Sequence, residues 1–298
     1  MYSEVKVIDK VREPWKAFVE SPAGTGNWHA FNLPFDKVIA AADEWKSIVK
    51  GHPKLWLCWN VNDSWCLLQQ KLAKEAGWTP VVGWDPMCGV GRPPVAPGAL
   101  CIDFNATFGM PSLFMHVPLE LAFLWIEDKL AFWHSDLLLP RSEMKYLSDL
   151  FGRLEGKEMA AVFSYGGIQN VFRLATHRYW ELCGCTTRAA SKDQFDKGSG
   201  WWKNIAFHPN APQDREEQHR RKSLIPEHGI AIRYWEKRYG GTVRKISERK
   251  ISRGHFSVTT TKPYKIAATK AEEMNINFDL TEIACDFGID DLLERTSR

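Results

Sequence analysis

The stretch Lys129-Leu130-Ala131-Phe132-Trp133-His134-Ser135-Asp136-Leu137-Leu138-Leu139-Pro140 decides the fold. Its first half is short and apolar, as a buried strand is. It ends in polar residues and an aspartate, and a carboxylate is costly to bury unpaired. Such a residue has a reason to stand where a parallel strand runs out into a ligand crevice. The run before it, 118–128, is amphipathic and reads as a helix. Beyond Pro140, Ser142 is expected to cap a helix over 143–154.

Working outward, Val38, Ile39, Ala42, Trp45 and Val49 share one face of a helix over 35–49. After His52-Pro53, an apolar run predicts a strand over 54–60. Asp63 or Ser64 is placed to cap a helix that reaches Ala76 and stops at Gly77. A second strand over 79–84 ends at Asp85. Strand, helix and strand in that order open an α/β domain with a parallel sheet. A Gly- and Pro-rich loop over 87–98 leads to a strand over 100–103. Further strands are expected at 159–164 and 179–186, a short helix at 191–196, and helix over 213–239 broken at Pro226. The β-branched residues of 256–266 predict a hairpin strand. The expected fold is α/β, a mixed and mainly parallel sheet flanked by helices, in one domain over 1–298. Within it, 1–52 is an N-terminal extension, 53–140 and 141–255 are two halves, and 256–298 is a C-terminal segment.

The 298 residues are 44% hydrophobic and 25% charged, which is ordinary for a globular chain. The longest apolar run, 119–139, is interrupted by Glu120, Glu127, Asp128, Lys129 and Asp136, so no membrane span is expected. The charged N-terminus has no apolar signal core, and an intracellular, cytoplasmic protein is expected. Seven scattered cysteines suit buried, reduced thiols better than a disulfide framework. The 14 Trp are many enough to suggest that some stack on sugars or bases rather than only fill the core. The net charge of +3 is uneven: 233–255 is basic, Arg215 and His219-Arg220-Arg221-Lys222 lie upstream, and 279–294 is acidic. That split fits a polyanionic partner or a solvated helix face. Gly89-Val90-Gly91 runs into Arg92-Pro93-Pro94 and cannot open a helix as a dinucleotide fingerprint must, and there is no Walker sequence.

Helix, apolar strand, aspartate and a second helix resemble the surroundings of the metal-binding motif of GT-A glycosyltransferases. That motif is usually Asp-x-Asp and grips Mg2+ or Mn2+, which holds the diphosphate of a sugar nucleotide. Here it reads His134-Ser135-Asp136, with His in place of the first Asp. The resemblance implies metal contact by Asp136 and His134, with Ser135 beside the donor. It also implies a late metal ligand, for which Glu227-His228-Gly229 offers His228. The nucleoside pocket is expected from Trp59, Asn60, Asn62 and Asp85, with Arg92 and Arg188 near phosphate. The segment 53–140 becomes the nucleotide-sugar half and 141–255 the acceptor half.

The acceptor loop is expected at Gly198-Ser199-Gly200-Trp201-Trp202, and inversion would need a base, for which Asp196, Asp193 and Glu181 are candidates, Asp196 first because it lies beside that loop. The order of motifs is similar to that of the TET-associated glycosyltransferases of bacteriophages. This implies a UDP-sugar donor, UDP-glucose first, and a 5-hydroxymethylpyrimidine acceptor such as 5-hydroxymethylcytosine in DNA. Trp201 and Trp202 would then face the base, and Arg220, Arg221 and Lys222 the DNA phosphates. Two alternatives stand beside it: a saccharide or lipid-linked glycan acceptor, and a nucleic-acid-binding protein without catalysis.

Overall fold

The computed structural model describes residues 35–84, 91–109, 115–163, 178–202, 204–224, 228–257 and 267–293. Asp85, Glu227 and most of 256–266 lie outside them. Strand β1 (Lys54–Trp59), helix α2 (Asp63–Glu75) and strand β2 (Thr79–Trp84) form the expected unit, preceded by α1 (Phe35–Val49). β3 (Leu100–Asp103) follows. β4 (Lys129–Trp133) is the strand read from the opening stretch, and all five of its residues are buried. After it come α5 (Arg141–Gly152), β5 (Glu158–Phe163), β6 (Tyr179–Thr187) and β7 (Thr242–Ser247).

These make one seven-stranded sheet in the order β3-β2-β1-β4-β6-β5-β7. β1 runs parallel to β2 and β4, β2 to β3, and β5 to β7. β6 alone runs against its neighbours β4 and β5. The expected mixed, mainly parallel α/β sheet is therefore present. Strand alternation sends Trp56 and Trp59 to opposite faces. Trp56 packs on Trp133, Trp78 and Phe151, under α2 and α5. Trp59 lies on Phe104, which meets Trp45 of α1 and Trp125. Eleven of the twelve described tryptophans are buried, so their number reflects the core first.

Several local expectations are corrected. The helix over 118–128 is two short pieces, α3 (His116–Glu120) and α4 (Ala122–Trp125). The cap of α2 is Asn62, whose side chain accepts from the Trp65 amide, rather than Asp63 or Ser64. Ser142 lies inside the first turn of α5, which Pro140 precedes. The helix expected at 191–196 begins earlier, as α6 (Arg188–Asp196). The helical run over 213–239 is interrupted as expected, α7 (Arg215–Lys222) and α8 (Ile230–Arg238) lying on either side of Pro226, which is itself outside the described residues. β7 emerges from the basic stretch and carries Arg244 and Lys245 on an outer strand, where charge blunts an exposed edge. After a short α9 (Glu248–Ile251) come α10 (Ala267–Asn277), ahead of the acidic segment, and α11 (Leu280–Asp286) within it.

Candidate metal centre

β4 ends at Trp133, and the chain turns at the carboxyl edge of the parallel strands, where open α/β sheets bind ligands. His134 keeps one ladder bond, from its amide to the Leu182 carbonyl at 2.9 Å. Gln69, wholly buried on α2, clamps the turn from beneath. Its Nε2 donates to the carbonyls of His134 and Leu137, both at 2.8 Å. The next residues meet a late segment of chain. The Phe256 amide donates to the Asp136 carbonyl at 2.9 Å, the Leu138 amide to the Gly254 carbonyl at 3.0 Å, and Leu137 bridges His255.

This pairing brings His134, Asp136 and His255 together as a group that could hold a metal ion, their ligand atoms all within 4.8 Å of one another. Asp136 Oδ1 stands 3.7 Å from His134 Nδ1 and 3.5 Å from His255 Nε2. That oxygen is buried and accepts no hydrogen bond. Two atoms bound to one ion at ~2.1 Å lie roughly 3.0–3.5 Å apart, so a small contraction would seat an ion. Two imidazoles and one carboxylate suit Mn2+, Fe2+ or Zn2+ better than Mg2+, which prefers an all-oxygen shell. The residues present therefore fit a transition-metal ion. Burial holds the His134 pKa below its usual value against the pull of Asp136 and Glu181, leaving a neutral ring with a lone pair for a metal. Burial alone would raise the Asp136 pKa, but Lys270, His255 and His134 outweigh it and hold the carboxyl well below the usual range.

A second carboxylate stands on the other side of His134. Its Nε2 is 4.0 Å from Glu181 Oε1, which is also 3.9 Å from His116 Nε2. His116 stacks on His228, ring centres 3.7 Å apart and nearly parallel. His228 Nδ1 lies 3.1 Å from the Trp201 carbonyl, a distance at which the nitrogen donates and fixes the tautomer. Gly229 sets this corner: at φ +81°, a Cβ would stand 1.7 Å from the Tyr179 carbonyl oxygen. Burial opposes ionisation of Glu181, but His228, His134 and Arg178 outweigh it and lower its pKa.

Of the expected metal ligands, His134 and Asp136 join the group, while His228 lies with His116 and Glu181. His255 takes the place given to His228, and nothing in its own stretch of sequence marks it, because the pairing of 136–138 with 254–256 is what brings it to Asp136. Of the three candidate bases only Glu181 is at this end of the sheet. α6 begins where Thr187 pairs with Lys129, the far end of β4. There Asp193 accepts from Lys157 at 2.7 Å and from Trp235 at 2.9 Å, and Asp196 is ion-paired with Lys192. Arg188 lies at the same far end, its Nε donating to the Phe123 carbonyl, so it does not reach phosphate at Asp136.

The nucleoside residues are committed elsewhere. Trp59 is buried against Phe104, where Gly83 leaves room for both rings, and so does not offer a face to a base. Asn60 donates to Asp63, and Asn62 caps α2 and donates to Asn275 and the Ala271 carbonyl. Ser135 is buried beside Lys270. Arg92 is exposed and lies near the Cys101 thiol.

The acceptor loop is packed inward. Trp201 is 1% exposed and meets Phe132 edge-on, and Trp202 is buried against His208. The Trp202 amide donates to Glu120, which also bonds His208 at 2.6 Å, and a Cβ at Gly200 would strike the same carboxylate. Arg221 is wholly buried and donates to the carbonyls of Gly198, Lys197 and Ile205, to Tyr239 and to Glu217. It braces the core and cannot reach a DNA phosphate. Arg220 pairs with Glu216 and Glu217, and Lys222 is exposed.

The cysteines Cys58, Cys66, Cys183 and Cys185 are buried free thiols, and burial pushes Cys66 up to about 12. Among the described residues no helix is long and apolar enough to cross a membrane. Comparison with protein-family models, curated proteins and solved structures gives no match in any of the three.

Proposed function

We propose that this protein is a metal-dependent glycosyltransferase of the GT-A kind, moving a hexose from a UDP-sugar, UDP-glucose first, to a hydroxyl acceptor. One observation carries the reading: the orphaned Asp136 Oδ1, facing two imidazoles at the carboxyl edge of a mainly parallel sheet. His134, Asp136 and His255 would hold the ion, with Mn2+ preferred over Mg2+ by the donor set. When bound, such an ion offsets charge on a diphosphate leaving group. Glu181 is the base of this proposal, and its lowered pKa keeps it in the form that accepts a proton. It takes the proton of the acceptor hydroxyl as that oxygen bonds to the anomeric carbon. The bond from that carbon to the diphosphate oxygen breaks, and configuration inverts.

The acceptor rests on the resemblance to the bacteriophage enzymes, and a 5-hydroxymethylpyrimidine in DNA is the first to test. The burial of Trp201, Trp202 and Arg221 removes the surface once assigned to it. The test is mass spectrometry of nucleosides after hydroxymethylcytosine DNA is incubated with UDP-glucose and Mn2+. A gain of one hexose, lost in Asp136→Ala, is the expected result. UDP release without that gain points to a saccharide acceptor. Activity and metal dependence that survive Asp136→Ala overturn the proposal.

The donor set also favours a second reading, because two histidines and one carboxylate hold Fe(II) in non-haem oxygen-using centres. Fe(II)-dependent oxygen uptake, with no response to sugar nucleotides, would select it.

A further inference from the structure

Asp136 has two oxygens in different company. Oδ1 faces the two imidazoles, while Oδ2 is held by the ammonium of Lys270 at 2.7 Å. The carboxylate is 4% exposed and Lys270 28%, so the pair sits at the mouth of the site, half covered. Lys270 also reaches Ser135 Oγ at 3.4 Å. Its backbone is fixed independently: Asn62 donates to the Ala271 carbonyl and to Asn275 of the same helix, α10. The side chain is a flexible four-carbon stem ending in a compact charge. A divalent ion on Oδ1 would stand a few ångströms from that ammonium, and like charges so close in a partly buried site repel strongly.

We propose that Lys270 is a tethered cation that neutralises Asp136 when no metal is bound, yields it to an incoming divalent ion, and then turns to the phosphate that the ion carries. The proposal rests on the metal reading of His134, Asp136 and His255. It adds Lys270, on a helix that precedes the acidic stretch 279–294 and that the sequence did not announce. The ligand class is a divalent cation with a diphosphate, and Lys270 has opposite effects on the two. It competes with the cation alone, because both positive charges seek one carboxylate. It assists the cation once pyrophosphate is present, because the displaced ammonium gains an anionic partner.

The experiment is Mn2+ binding to the full chain by electron paramagnetic resonance, with and without inorganic pyrophosphate. Wild type is compared with Lys270→Met and Lys270→Gln, both checked for folding by circular dichroism, and with Asp136→Asn. For Mn2+ alone, the Lys270 variants are expected to bind on the order of tenfold more tightly than wild type. With pyrophosphate added, wild type is expected to gain more affinity than they do. Asp136→Asn is expected to abolish binding. Equal or weaker Mn2+ binding by both Lys270 variants overturns the competition while leaving the metal site standing. No Mn2+ binding by any form overturns the metal reading itself, and this inference with it.

Discussion

Gly254 sits against Leu138 so closely that a Cβ on it would stand 1.9 Å from the Leu138 carbonyl oxygen. The Leu138 amide meanwhile donates to the Gly254 carbonyl at 3.0 Å. The residue beside His255 is thus a glycine because two backbones pass in contact. Gly254→Ala should force them apart, cost about 1–3 kcal/mol, as overpacking does, and draw His255 from Asp136. Thermal unfolding checks the first effect and Mn2+ titration the second. A variant with wild-type stability and Mn2+ affinity would show that the contact does not position the site.

Gln69 makes a related prediction from beneath the turn. Gln69→Leu keeps the volume but removes the side-chain donor from the carbonyls of His134 and Leu137. The His134 carbonyl keeps the Leu137 amide at 3.1 Å, and the Leu137 carbonyl is left unsatisfied. Leaving a buried acceptor unsatisfied costs about 1–3 kcal/mol. Denaturant unfolding should show that loss, together with weaker Mn2+ binding from a looser turn. Loss of stability with unchanged Mn2+ affinity would mean that Gln69 supports the core alone.

The three acidic candidates separate by position. Glu181→Gln should lower hexosyl transfer by about 10²–10⁴-fold, the usual contribution of a general base. Asp196→Asn, at an exposed pair with Lys192, should change transfer little. Asp193→Asn should act through stability, since it loosens bonds to Lys157 and Trp235. Initial rates with each purified variant decide this, and a fully active Glu181→Gln enzyme removes Glu181 as the base.

Glu217 sets an acid limit on stability. Burial resists its ionisation, but hydrogen bonds from Tyr234, Tyr239 and Arg221 outweigh this and lower its pKa. A carboxylate with a lowered folded pKa contributes stability above its unfolded pKa, about 4.3, and loses it as pH falls through the folded value. Unfolding midpoints measured from pH 7 down to pH 3 should therefore fall below about pH 4.3. In Glu217→Gln the midpoint should be lower at pH 7 and should fall less on acidification. Parallel curves for the two proteins would exclude Glu217 as a source of the effect.

The sheet could be read where side chains face a single environment. β4 is buried on both faces, so its apolar run announced it, and the same holds for β1. β7 was hidden because an edge strand exposes Arg244 and Lys245, and only Val243 and Ile246 of its six residues are buried, three apart and so on opposite faces, which gives no alternating pattern. Asp136 was legible because an acid closing an apolar run is conspicuous. His255, Gln69 and Lys270 were not, because each reaches Asp136 or its turn from another element, and single-chain periodicity does not record such meetings. Tryptophan misled for a related reason: Trp201 follows glycines, as a loop platform would, yet the loop folds inward onto Phe132.

The backbone pairing of 136–138 with 254–256 also dictates when the site can exist. Two of the three residues of the candidate metal group are synthesised long before the third, and the chain between them carries β5, β6 and β7. Contacts so distant along the chain carry a large closure entropy and form slowly. During synthesis, Asp136 and His134 remain without His255 until that segment has left the ribosome. On the proposed metal reading, Mn2+ affinity would arise only once that pairing has formed, and a chain ending before residue 254 would carry the β4 edge without the third ligand.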